Sequence, residues 1–207
     1  MKRLSASRYA YIGAAYGGVI GGLYWLHSAW AAIVIYHLLA VWGVYCAGDR
    51  GWFNEIGKGF KGYPGFVYIT ASILIGPLIV LLWPYMKLNQ MTLGRLLGSY
   101  GLSGVGWYIF IGYFTVIHPV IEEVFWRRFL ASKRQMIAWQ DFAFGGYHIF
   151  VLVLFIKPPW VLLAFVLLSI VSWAWRKAAI SCKGLAVPVL AHMAGCGSVI
   201  AAVHWVW

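Results

Sequence analysis

Long apolar runs separated by short polar or glycine-rich stretches make up most of this chain. Runs of this length, broken by turn residues and charges, predict helices that cross a bilayer. The pattern places them at about 9–26, 30–47, 64–84, from about 100 to a far end bearing two glutamates, 137–156, 160–175 and 185–203. An eighth short helix is expected where 87–99 reads as an amphipathic connector. The predicted fold class is all-α, a polytopic transmembrane bundle of seven to eight helices. It forms a single membrane domain: helices and a loop over 1–89, then a core over 90–207.

Local signals refine this picture. Gly13, Gly17, Gly18, Gly21 and Gly22 repeat at spacings that let helix backbones approach closely in lipid. Gly76-Pro77 predicts a kink in the third helix, and Pro119 one in the fourth. Lys157-Pro158-Pro159 reads as a tight turn, and Arg176, Lys177 and Lys183 as the loop before the last helix. Lys2, Arg3 and Arg8 precede an apolar run with no clear cleavage site. They are read as flanking a first membrane helix rather than a signal peptide.

Composition agrees. The 207 residues are 63% apolar and 10% charged, with a mean hydropathy of +0.80; soluble domains carry about 25% charged residues. The net charge of +11 would suggest nucleic acid in a soluble protein. Here its placement argues otherwise. Of sixteen lysines and arginines, only Lys87, Arg95 and Lys157 fall on one side of the alternating topology. That asymmetry predicts a cytoplasmic N-terminus, a bacterial inner membrane suiting it as well as the endoplasmic reticulum, and no nucleic-acid partner. Cys46, Cys182 and Cys196 form no CxxC pair, so neither a disulfide framework nor a thiolate zinc cluster is indicated.

Only five residues are acidic: Asp49, Glu55, Glu122, Glu123 and Asp141. Two stand together after an apolar run, and an ionisable residue inside a membrane segment marks a functional site by default. Glu123 and Arg127 are four residues apart on one helix face and can pair, while Glu122 points about 100° away. Glu122 is therefore the expected chemical residue and Glu123–Arg127 its brace. At a rise of 1.5 Å per residue, Glu122, His192 and His148 lie about 7–8, 13 and 15–20 Å from the same membrane edge. They can converge in one cavity. Phe144 lies one turn before His148, and Cys196 one turn after His192. His118 stands four residues before Glu122 and can tune it; His37 reads as a packing residue, and His27 and His204 as interfacial.

A glutamate with two histidines suits hydrolysis of a peptide bond. The acid acts as general base on water, and the histidines hold a metal or stabilise an oxyanion. Glu122, His148 and His192 could alternatively bind zinc, leaving one open position. There is no HExxH. As a ligand, Glu122 could not also be the free base, and both arrangements stay open.

These residues fall in an order that resembles the CAAX prenyl protease and bacteriocin-processing (CPBP, or Abi) family of intramembrane proteases. Its motifs are EExxxR, FxxxH and HxxxN or HxxxD. The chain has Glu122-Glu123-Val-Phe-Trp-Arg127, Phe144-Gly-Gly-Tyr-His148 and His192-Met-Ala-Gly-Cys196, within roughly residues 90–200. The resemblance implies an active site within the membrane, open to the cytoplasm. Glu122 would activate water with help from His148, and His192 with its partner four residues on would stabilise the oxyanion. Substrates would be hydrophobic, prenylated or membrane-anchored peptides. Family members have been described both as metalloproteases and as glutamate proteases, so zinc is left open, as is the oligomeric state. Cys196 replaces the family's Asn or Asp, and a thiol is a weak donor; Trp126 and Arg128 also depart from the usual residues. Two other readings remain: a non-catalytic relative that binds a peptide or partner, and a proton or ion carrier.

Overall fold

The computed structural model describes residues 4–48, 51–88 and 92–207, so Lys2, Arg3, Asp49 and Arg50 lie outside it. The described residues are helical with no strand; one isolated antiparallel bridge joins Lys87 and Ile156. The helices are α1 (Leu4–Ile20), continued by a π-helical turn Gly21–Trp25, α2 (Ala29–Cys46), the one-turn α3 (Phe53–Ile56), α4 (Gly62–Ile73), α5 (Ile75–Met86), α6 (Leu93–Ser99), α7 (Gly104–Gly112), α8 (His118–Glu123), α9 (Trp139–Leu152), α10 (Pro158–Cys182) and α11 (Ala186–Trp205). Two further π-helical turns, Tyr113–Ile117 and Val124–Phe129, bracket α8.

Five helical stretches among the described residues are long and apolar enough to cross a membrane: Ala29–Cys46, Gly62–Met86, Gly104–Phe129, Pro158–Cys182 and Ala186–Trp205. The protein is accordingly a membrane-embedded helical bundle. Large apolar side chains such as Leu38, Phe66, Leu81, Val105 and Leu162 remain exposed, as a lipid-facing surface requires. In α11 56% of the apolar window is buried, more than in the other four, which makes it the central helix.

Element boundaries have local causes. Ser28 caps α2 by accepting the Ala31 N–H at 3.1 Å. A Cβ on Gly22 would lie 2.2 Å from the Ala32 backbone, so only glycine lets α1 and α2 approach this closely. The expected kink at Gly76-Pro77 appears as a break at Leu74, between α4 and α5. Pro77 has no N–H to give the Ile73 carbonyl. Ser198 of α11 supplies the missing donor: its hydroxyl donates to Ile73 O at 2.5 Å and accepts from the Gly76 N–H at 2.9 Å. The fourth helix starts at Gly104 rather than near residue 100, because Gly101 and Gly104 take positive φ angles of 80° and 52°.

The sequence placed Arg176 and Lys177 in a loop after residue 175; instead α10 continues to Cys182. The reason is an ion pair inside the bundle. Arg176 Nη2 lies 2.6 Å and Nε 3.1 Å from the two oxygens of Asp141. The same guanidinium donates to the carbonyls of Ser132, Arg134 and Met136, ordering the connector before α9. Asp141 in turn accepts the Ala138 N–H at 2.8 Å and the Ser172 hydroxyl at 3.1 Å, capping α9. A charge so fully matched does not end a helix.

The basic connectors gather at one end. Arg128 pairs with Glu55, Lys61 donates to Ser181 O at 3.1 Å, and the Leu185 and Ala186 N–H groups bond to the carbonyls of Glu55 and Lys58. At the other end, the Leu88 N–H bonds to Phe155 O and the Lys157 N–H to Met86 O.

Two outcomes are expected. Replacing Arg176 by leucine leaves a buried carboxylate unpaired and should destabilise the fold by about 3–5 kcal/mol, read as a lower unfolding midpoint in detergent. Ser198→Ala removes the partner of the Ile73 carbonyl and of the part-buried Gly76 N–H, and should cost about 1–3 kcal/mol in the same measurement.

Candidate active site

The candidate site is built around α8. Pro119 lacks an N–H, and the chain accommodates it by widening: the His118 N–H bonds to Tyr113 O, five residues back. The second π-helical turn follows at once, and the Leu130 N–H reaches Phe125 O. Between them His118 and Glu122 share one face, with His118 Nε2 3.5 Å from Glu122 Oε2.

Glu122 and Glu123 are both fully buried. Glu122 Oε1 accepts the hydroxyls of Tyr36, from α2, and Tyr147, from α9, the latter at 2.7 Å. Trp126 Nε1 donates to the Tyr36 hydroxyl at 2.8 Å, which orients that phenol. Glu122 Oε2 has no hydrogen-bond partner and faces two imidazole nitrogens, His118 Nε2 and His192 Nε2, at 3.5 and 3.6 Å.

Glu123 approaches the same imidazole from its other side. His192 Nδ1 stands 2.9 Å from Glu123 Oε1, so that nitrogen carries the proton and donates. Arg127 Nε lies 3.2 Å from Glu123 Oε2, an ion pair whose angles fall outside hydrogen-bond geometry. The guanidinium rests over the Phe144 ring, its carbon 4.5 Å from the centroid. The two glutamates therefore do not face separate regions: both reach His192, one at each nitrogen.

A second chain of contacts comes from α2. His37 Nε2 meets His118 Nδ1 at 3.0 Å, and His37 Nδ1 meets the Tyr113 hydroxyl at 2.6 Å. The relay runs in two senses. In one, the Tyr113 hydroxyl donates inward and His118 presents an Nε2–H to Glu122. In the other, every proton points outward and His118 presents a lone pair. Phe114 stacks on His118 with ring centroids 4.7 Å apart, fixing its plane.

His148 lies beside this cluster. Its Nδ1 donates to Phe144 O at 2.8 Å, and its ring stacks on Tyr147 at a centroid distance of 3.9 Å. Its connection to Glu122 thus runs through Tyr147. Of Glu122, His148 and His192, the ligand set considered should a metal be bound, only His192 belongs to the group whose ligand atoms converge among the described residues. That group is His118, His192 and Cys196, all buried, with one ligand atom of each within 4.8 Å of the others.

The spacing of His118 predicts that it tunes Glu122, and it does lie beside that acid; the sequence gives Tyr36 and Tyr147 no role and reads His37 as packing. Tyr36 and His37 carry no signal of their place, because an apolar helix offers no local mark of which residues face a carboxylate 80 residues away. Compared with family models, curated proteins and solved structures, the chain has no match.

Proposed function

We propose that this protein is an intramembrane endopeptidase of the CPBP type, acting on a hydrophobic, prenylated or membrane-anchored peptide. The observation that carries this reading is Glu122 Oε2, a fully buried carboxylate oxygen with no hydrogen-bond donor, set between two imidazole nitrogens. The division of labour within the carboxylate supports it. Two tyrosines hold Oε1, so Oε2 is the oxygen free to take a proton from water. His118 and His192 flank the position such a water would occupy. His192, backed by Glu123, can carry positive charge toward the oxyanion that forms as water adds to the peptide carbonyl. Glu122 then delivers its proton to the departing amine, returning to the carboxylate. His148 acts through the Tyr147 ring in this scheme, as a positioning residue.

The accompanying topology has seven crossings, with α1 and α9 added to the five long apolar stretches. The basic end faces the cytoplasm, so the N-terminus is cytoplasmic, in a bacterial inner membrane.

One observation favours a second reading. The contacts from Tyr113 through His37 and His118 toward Glu122 form a path along which a proton could move, as in a carrier. Such a carrier would acidify loaded proteoliposomes under a membrane potential and yield no peptide products.

Purified protein is expected to cleave quenched hydrophobic peptides, and Glu122→Gln to lower the rate by about 10²-fold or more with normal expression and an unchanged elution volume. Equal rates for the two proteins would overturn the peptidase reading and favour a non-catalytic binding protein. Glu123→Gln should both slow cleavage and lower the unfolding midpoint, since it leaves buried Arg127 without its carboxylate, a change worth about 3–5 kcal/mol.

A further inference from the structure

We propose that His118, His192 and Cys196 form a three-ligand site for a zinc-class metal ion, with its fourth position facing Glu122. The donor atoms are already gathered: one from each residue lies within 4.8 Å of the others, and all three side chains are buried. With metal–nitrogen bonds of about 2.0–2.1 Å and a metal–sulfur bond of about 2.3 Å, ligands of one tetrahedral site stand about 3.3–3.7 Å apart. Closing around an ion draws the widest pair together by up to about 1.1–1.5 Å.

Hydrogen bonding selects the ligating nitrogens. His192 Nδ1 is committed to Glu123 Oε1 at 2.9 Å and His118 Nδ1 to His37 Nε2 at 3.0 Å. Each imidazole is thereby left with Nε2 free, and both Nε2 atoms point to the space in front of Glu122 Oε2. An outer carboxylate or imidazole on the far nitrogen is the usual support of a metal-bound histidine. With His192 protonated at Nδ1, its Nε2 lone pair faces the unpartnered lone pairs of a buried carboxylate oxygen. A proton on that nitrogen or a metal ion between the two relieves their repulsion. His192 and Cys196 are one turn apart on α11, so a single helix supplies two ligands on one face.

This assignment gives Cys196 a purpose. As an oxyanion donor a thiol is poor, but as a thiolate it is a strong ligand for a soft or borderline ion. Glu122 stands beside the open position, its Oε2 3.5 and 3.6 Å from the two Nε2 atoms, and His148, bonded to Phe144 O, takes no part. An ion there would supply Lewis-acid polarisation of a carbonyl beside Glu122. The assignment deepens the peptidase reading and rests on it only for what the ion does.

Protein purified on a metal-free affinity resin, incubated with zinc and desalted, is the material for the test. Elemental analysis should find about one zinc per chain, as a single closed set of protein ligands requires. Cys196→Ser and His118→Gln should each lose most of it, and His148→Gln should keep it. Cobalt(II) in place of zinc should show a thiolate charge-transfer band in the near ultraviolet that disappears in Cys196→Ser. Should those variants fail to fold, the wild type still decides: zinc should protect Cys196, identified by peptide mass spectrometry, from alkylation. Wild-type protein without stoichiometric zinc, full retention in Cys196→Ser, loss in His148→Gln, or alkylation of Cys196 unaffected by zinc would each overturn the site. Metal-free protein that still cleaves peptides, and stops on Glu122→Gln, would remove the metal and leave the glutamate base standing.

Discussion

A carboxylate cannot be left alone in an apolar bundle, because transferring an unpaired charge out of water costs many kcal/mol. Among its described residues this protein buries three of them, Glu122, Glu123 and Asp141, and much of its architecture consists of the means of meeting them. Each is met differently. Asp141 receives a two-point guanidinium, a hydroxyl and a backbone N–H, which satisfies both oxygens and fastens α9 to α10. Glu123 is shared between Arg127 and His192. Glu122 is met by tyrosine hydroxyls on one oxygen only. The first arrangement is structural because nothing is left over. The last is a candidate for chemistry because one oxygen remains unpartnered.

The backbone around α8 serves the same end. Two π-helical turns and a proline in seventeen residues would weaken an isolated helix, since each interrupts the regular ladder. Here they displace Glu122 and Glu123 relative to a straight helix, so that neighbouring side chains reach opposite nitrogens of one imidazole. Similar compensation holds at Pro77, where Ser198 replaces the lost donor and Gly76 permits the approach, since a Cβ there would sit 2.3 Å from Ser198 O. In both places an irregularity in one helix is matched by a group on another, which makes the irregularities parts of the packing.

The aromatic residues around the site do three kinds of work. Tyr36 and Tyr147 donate hydrogen bonds, Phe144 covers a cation, and Phe114 and Trp175 fix imidazole planes. Together they place a handful of polar groups in an environment of low dielectric, where small displacements change interaction energies strongly. Tyr147 has a double role, bonding to Glu122 while its ring carries His148.

The membrane setting, the helical class and the special standing of the two glutamates could be read from the sequence alone. Apolar run length sets the first two, and the rarity of acids in such runs sets the third. The pairing of Glu123 with Arg127 was legible as well, because four residues along one helix is a local relation. What the tertiary structure decided was everything across helices: that Tyr36, His37 and Tyr147 surround Glu122, that both glutamates meet His192, that His118 rather than His148 faces the free oxygen, and that Arg176 lies inside the bundle beside Asp141. Hydrophobic periodicity could not carry this information, since a helix apolar on every side gives no sign of which face turns inward or at what height it meets its neighbour. Those choices follow from close contacts between residues far apart in the chain, and the requirement that buried charges be met selects among them.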